Sequence, residues 1–156
     1  MSEIEIVEVQ PQLVLGMRRR GKYELIGEMI PMLFHFAFSN GIPIQGPPVF
    51  VCHETTFEDA ERAEREGSAD VEVALPISGY IEDTGDIKCY ELSGGTMAKI
   101  LSKGPYEECG PAYERLYSWI AENGKRVSGP LREVYLNDPN EVPPSEIITE
   151  IYAQIE

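Results

Sequence analysis

Short alternating apolar runs bracket two stretches of helical period, and the arrangement occurs twice. Ile4 to Val9 reads as a strand, Pro11 turns the chain, and Leu13 to Arg19 reads as a second strand. A mainly helical stretch follows from about Tyr23 to Ser39, closed by Asn40-Gly41, a common helix stop. Phe50 to Cys52 begins a third strand after Gly46-Pro47-Pro48, and Val71 to Ile77 reads as a fourth. Between them Glu54 to Ala69 is an acidic excursion with room for one short helix, and Ser78 to Gly85 reads as a linker.

The order then recurs. Ile87 to Leu92 predicts a strand, Ser93-Gly94-Gly95 a hairpin turn, and Thr96 to Ser102 the next strand. Tyr106 to Glu122 is helical up to Asn123-Gly124, Gly129-Pro130 opens a third strand, and Thr149 to Ile155 closes the chain after a polar loop. Gly21, Tyr23, Glu24, Gly27, Leu33, Asn40 and Gly41 recur 83 positions on as Gly104, Tyr106, Glu107, Gly110, Leu116, Asn123 and Gly124. Over the 50 pairs starting at residue 4 there are 12 identities, where chance gives about one match in fifteen to twenty. The expectation is one α+β domain over 1–156, built from duplicated ββαββ halves (4–77 and 87–155) with pseudo-two-fold symmetry around a ligand cleft.

The repeat diverges on one face of its third strand. Val51 matches Val134, but Glu133 falls opposite Phe50 and Tyr135 opposite Cys52. In extended chain Leu131, Glu133 and Tyr135 share a side, which sets a carboxylate between two large apolar neighbours. Such a carboxylate needs a cation, a donor or a proton, so Glu133 reads as the floor of a ligand site.

The segments Lys103-Gly104-Pro105-Tyr106-Glu107, Leu116 to Gly124, Gly129 to Pro139 and Thr149-Glu150-Ile151-Tyr152 carry a family resemblance. Together they resemble the GyrI-like family, a small-molecule-binding domain also found as the effector domain of AraC-type and multidrug-responsive MerR-type regulators. The resemblance implies a cleft lined with aromatics, and a floor glutamate, here Glu133, that attracts lipophilic cations. It also implies an aromatic from the closing strand, mapped onto Tyr152. Regulators of this kind carry a separate DNA-binding domain, and this chain is expected to be the stand-alone kind. Some stand-alone members are hydrolases of electrophilic cyclopropane-containing natural products, with Glu133 then the catalytic carboxylate, and others act on gyrase through protein contacts.

Trp119 fits either a pocket wall or ordinary packing, while Tyr113, Leu116 and Ile120 form the core face of its helix. Phe34, Phe36 and Phe38, with Met29 and Met32, make the first helix soft and aromatic, which suits a permissive pocket, a core or a subunit interface. Phe36, Phe50 and Tyr135 join the candidate ligand contacts. Glu150 is a second candidate acid, with solvated edge charge as the competing explanation.

Charge narrows the partners. The net charge of −14 argues against nucleic acid and suits cationic ligands, though solubility alone accounts for it equally well. The run Arg18-Arg19-Arg20 with Lys22 reads as a solvated strand end. Adjacent strand residues face opposite ways, so Cys52 and His53 are not expected to share a metal, and no cofactor motif is present. Three scattered cysteines suit a reducing cytoplasm, no secretory leader is expected at the N-terminus, and Met29 to Phe38 is too short to span a bilayer. The expected function is cytoplasmic binding of a bulky, lipophilic, cationic small molecule.

Overall fold

The computed structural model describes residues 4–156. The expected leaderless start at Met1 to Glu3 lies outside them. The chain runs β1 (Glu5–Val9), β2 (Gln12–Gly21), α1 (Leu25–Ser39), β3 (Val49–Cys52), α2 (Phe57–Glu66) and β4 (Ala69–Pro76). It continues through β5 (Lys88–Leu92), β6 (Gly95–Lys103), α3 (Gly110–Glu122), β7 (Val127–Tyr135) and β8 (Ile148–Ile155). All strands join one antiparallel sheet in the order β1-β6-β8-β7-β3-β4-β2-β5, curled into half a barrel.

Local chemistry accounts for the helix ends. Thr56 caps α2 by accepting from the Asp59 amide at 3.1 Å, Glu58 and Asp59 favour its positive end, and Gly67 stops it at φ 65°. Pro31 is accommodated within α1. The expected second helix begins later than Tyr106, because Tyr106–Glu108 forms a separate 3-10 turn before Gly110-Pro111 starts α3.

The helices pack on one face of the sheet. Met29, Leu33 and Ala37 of α1 and Leu116 and Ile120 of α3 meet Leu15, Met17, Phe50, Val71, Val73, Ile100, Leu131 and Ile151 in one cluster. Leu33 and Leu116 are both fully buried, each contributing about 1.5–3 kcal/mol by area. A smaller cluster, Val14, Val49, Val51, Ala74 and Leu92, occupies the opposite face under Tyr90 and Val134.

The hairpin expected at Ser93-Gly94-Gly95 does not form. β5 pairs with β2 and β6 with β1, so the two strands flanking those glycines lie at opposite ends of the sheet order. The partners run in one register, Glu5 with Lys99, Val9 with Gly95, Gln12 with Leu92 and Gly16 with Lys88. The two chain segments therefore run side by side in one register and bend together at Gln10-Pro11 and Ser93-Gly94. The close approach at the bend explains the glycine: a Cβ on Gly94 would lie 2.2 Å from the Val9 carbonyl oxygen.

Candidate functional site

β7 carries Glu133 at the middle of the sheet, facing the helices. Its cross-strand partners are Phe50 on β3 and Ile151 on β8. Phe50 is 3% exposed and Ile151 fully buried, so the carboxylate sits in an apolar row. Tyr135, two residues along the same face, donates its hydroxyl to Glu133 Oε1 at 2.8 Å. Tyr113 reaches down from α3 and donates to Oε2. Burial pushes the Glu133 carboxyl above its ordinary value, and the two phenol donors partly offset that by stabilising the ionised form. Both phenols are driven well above the usual tyrosine range by burial and by the neighbouring carboxylate.

Aromatic rings continue outward from this pair. Tyr106 meets Tyr135 edge-on at 5.0 Å between centroids. Phe57 of α2, half exposed, packs edge-on against Tyr113 at 6.4 Å and Tyr117 at 5.8 Å. Tyr23 meets Phe50 at 6.0 Å and donates to Glu54 Oε1 at 2.6 Å. Cys52, beside Phe50 on this face, has its thiol pushed up to about 12, chiefly by burial and then by the charges of Glu133 and Glu54. The arrangement can neutralise a cation, stack against its apolar body and exclude water, or accept a proton.

The expected contacts divide between the two sides of the sheet. Glu133, Tyr135 and Phe50 come together on the helix-bearing face. Tyr152 is the cross-strand partner of Arg132, not of Glu133, and so lies on the opposite face with Glu150. There Glu150 Oε2 is 2.8 Å from Lys99 Nζ and Glu150 Oε1 accepts from Tyr152 at 3.0 Å. Trp119 packs against the main core, and Phe36 lines a surface groove beside α1. Neither residue is in aromatic contact with Tyr113 or Tyr135.

Other singled-out residues have protein partners. Arg18 grips Asp70 through two hydrogen bonds of 2.7 and 2.6 Å, and its charge holds the Asp70 carboxyl below the usual range. Arg19 binds Asp86, and Arg20 donates to the Ser68 carbonyl. Cys52 and His53 do face opposite ways: the thiol donates to the Glu54 carbonyl, while His53 Nε2 lies 2.7 Å from Glu72.

Tyr113, Tyr106 and Phe57 are not among the contacts expected from the sequence. Tyr113 lies on the sheet-facing stripe of its helix and packs against the main core, as expected, but its hydroxyl also reaches Glu133. A tyrosine there needs a hydroxyl partner, and an inward glutamate needs donors; matching those two demands would have joined Tyr113 to Glu133. Nothing in the sequence announces Phe57, which depends on where α2 is folded back.

No curated protein sequence matches the chain significantly. Among solved structures, the EcmrR C-terminal domain superposes with a TM-score of 0.87 at 19% identity, covering 100% of this chain and 98% of that one. Against EcmrR in its DNA complex the TM-score is 0.86 at 19% identity and 99% of this chain is covered, which spans 57% of that protein. A hydrolase encoded by lin2189 from Listeria innocua gives a TM-score of 0.73 at 14% identity, covering 99% and 92% of the two chains. SAV2435 bound to tetraphenylphosphonium gives 0.60 at 11% identity, with 99% and 94% covered. At such identities these likenesses concern the fold. The family model for the GyrI-like small-molecule-binding domain matches residues 2–156, and the chain belongs to that family.

Proposed function

We propose that this domain binds bulky lipophilic cations, with Glu133 as the charge partner and Tyr113, Tyr135, Tyr106, Phe50 and Phe57 as the apolar surround. The observation that carries the reading is the carboxylate itself. Glu133 is set in a hydrophobic row, with two phenols as its partners and, among the described residues, no cation in its hydrogen bonds or ion pairs. A delocalised cation brings no tight hydration shell to shed, and each good ring contact adds about 0.5–2 kcal/mol. The tetraphenylphosphonium carried by SAV2435 is a ligand of this chemical kind.

The duplicated architecture belongs to the same proposal. Exchanging residues 83 apart carries the Glu5 and Lys99 pair onto Lys88 and Gly16, and the Phe50 and Glu133 pair onto itself. The strand order is likewise unchanged when the first four strands are exchanged with the last four. A pseudo-dyad through the β3 and β7 ladder supports a ligand site where the halves would meet, with asymmetry supplied by Phe50 and Glu133 themselves.

Titration with tetraphenylphosphonium, against triphenylphosphine oxide as a neutral aromatic control, tests the reading. The cation is expected to bind at least tenfold more tightly; equal or absent binding of both would overturn it. The raised carboxyl of Glu133 beside two phenols also suits a general base. Mass spectrometry of ligands recovered from incubation with an electrophile panel separates the two, because water added to a recovered ligand would mark a hydrolase.

A further inference from the structure

Resting on Glu133 as the partner of a lipophilic cation, we infer that the ligand carries a second positive centre, a tethered ammonium, and that Glu54 receives it. Glu54 is a second carboxylate beside the aromatic site that has hydrogen-bond donors but no cation. Its Oε1 accepts from the Tyr23 hydroxyl at 2.6 Å and its Oε2 from the Asp70 amide at 3.0 Å. Among the described residues it makes no ion pair.

Aromatic rings connect the two acids. Phe50, the cross-strand neighbour of Glu133, meets the ring of Tyr23, whose hydroxyl reaches Glu54. Phe57 lies against both Tyr113 and Tyr117; Tyr113 donates to Glu133, and Tyr117 donates to the carbonyl of Thr55, next to Glu54. Glu54 follows Phe50 by four residues, at most about 14 Å of extended chain, a distance one ligand can span. Cys52 lies between Phe50 and Glu54, and its thiol is raised by burial and then by the charges of Glu133 and Glu54, so both carboxylates act on one point.

The two ends differ in chemistry. Glu133 lies in an apolar row, whereas Glu54 opens on a polar cavity of roughly 300 Å³ whose wall includes His53, Asp59, Arg62 and Ser68. The basic groups of that wall are committed, Arg62 to Asp59 and His53 to Glu72, whose Oε1 lies 2.7 Å from Nε2. A tetraarylphosphonium offers no hydrogen-bond donor to such a place. An ammonium brings three N–H groups to share among carboxylate and hydroxyl oxygens. The net charge of −14 also favours a second positive centre on the ligand.

Calorimetry with (ω-aminooctyl)triphenylphosphonium and octyltriphenylphosphonium, which differ only in the terminal amine, reads the outcome. The amine is expected to tighten binding to the wild type at least about tenfold. Glu54→Gln is expected to remove that gain while leaving octyltriphenylphosphonium within about twofold of its wild-type affinity. An aminopropyl tether is too short to reach Glu54 from Glu133, so its amine should add less than about twofold over propyltriphenylphosphonium, which separates the site from general attraction to an acidic surface. That comparison uses the wild type alone and so holds even if Glu54→Gln folds poorly, which its unfolding temperature checks. Equal affinity for the two octyl probes would overturn the inference and leave Glu133 as a charge partner. So would a gain that survives Glu54→Gln or that the short tether gives in full. Failure of every probe to bind would overturn both readings.

Discussion

Phe50 and Glu133 are direct cross-strand partners on the β3 and β7 ladder, a phenyl and a carboxylate side by side on the helix-bearing face. The ring removes water from one flank of the carboxylate, and Leu131, 1% exposed, removes it from another. Ionisation of Glu133 thus depends on the hydrogen bonds it accepts from Tyr113 and Tyr135.

Replacing the charge while keeping the shape isolates its contribution. Glu133→Gln is expected to weaken tetraphenylphosphonium by at least about thirtyfold, the low end of the loss on breaking a desolvated charge pair, about 2 kcal/mol. Binding of triphenylphosphine oxide should change little. Calorimetry on both ligands checks this, and an unchanged affinity for the cation would reduce Glu133 to a structural residue.

The pH dependence has a definite sign. Since the folded-state carboxyl titrates above its ordinary value, the native protein holds the proton more tightly than the unfolded chain does. Its contribution to stability is present below the unfolded value and is lost as pH rises through the raised folded one. Cation affinity should run the other way, rising with pH over that interval as Glu133 ionises. Unfolding temperatures of wild type and Glu133→Gln, compared from pH 4 to 8, should diverge as pH rises; parallel curves would contradict the assignment.

Tyr113→Phe deletes one of the two donors to the carboxylate without emptying the packing beside Phe57. The donor favours the ionised form, so its loss should move the pH midpoint of tetraphenylphosphonium binding upward. A midpoint that stays in place or falls would show that the phenol has no hold on Glu133.

At the bend of the paired strands, Gly94→Ala forces a methyl group to within 2.2 Å of a backbone carbonyl. Neither bent strand can yield without breaking pairs on both sides, so a loss of at least about 2 kcal/mol is expected from urea unfolding. A neutral effect would mean that the bend relaxes.

Nucleic acid is not an expected partner for this chain. With a net charge of −14 and Arg18 to Arg20 committed to Asp70, Asp86 and Ser68, no stable binding to duplex DNA is expected at physiological salt. A salt-sensitive gel shift at sub-micromolar protein would count against this.

The elements were largely legible because their signals are local. Paired Asn-Gly stops, alternating strands and the displacement of 83 located every strand and both long helices, and the side-chain period put Glu133, Tyr135 and Leu131 on one side. What pairs with what was less legible. Ser93-Gly94-Gly95 has hairpin chemistry, but there the small residues serve a close approach to Val9, which only the folded pairing reveals. Tyr152 failed to join Glu133 for a similar reason, since its side of the sheet is set by the register of β8 against β7 and not by its own neighbours.

The pairing of the two bent strands has a kinetic consequence. Glu5 pairs with Lys99 and Gly16 with Lys88, so the bonds that seal both ends of the sheet join positions more than seventy residues apart along the chain. The first half of the chain pairs its β1 with β6 of the second, which in turn pairs its β5 with β2 of the first, and a fragment cut between them would be left with open edges. Contacts of such separation are the slow ones to form. The chain should therefore fold as one late, cooperative event, and its two parts, produced separately, should gain order only on meeting.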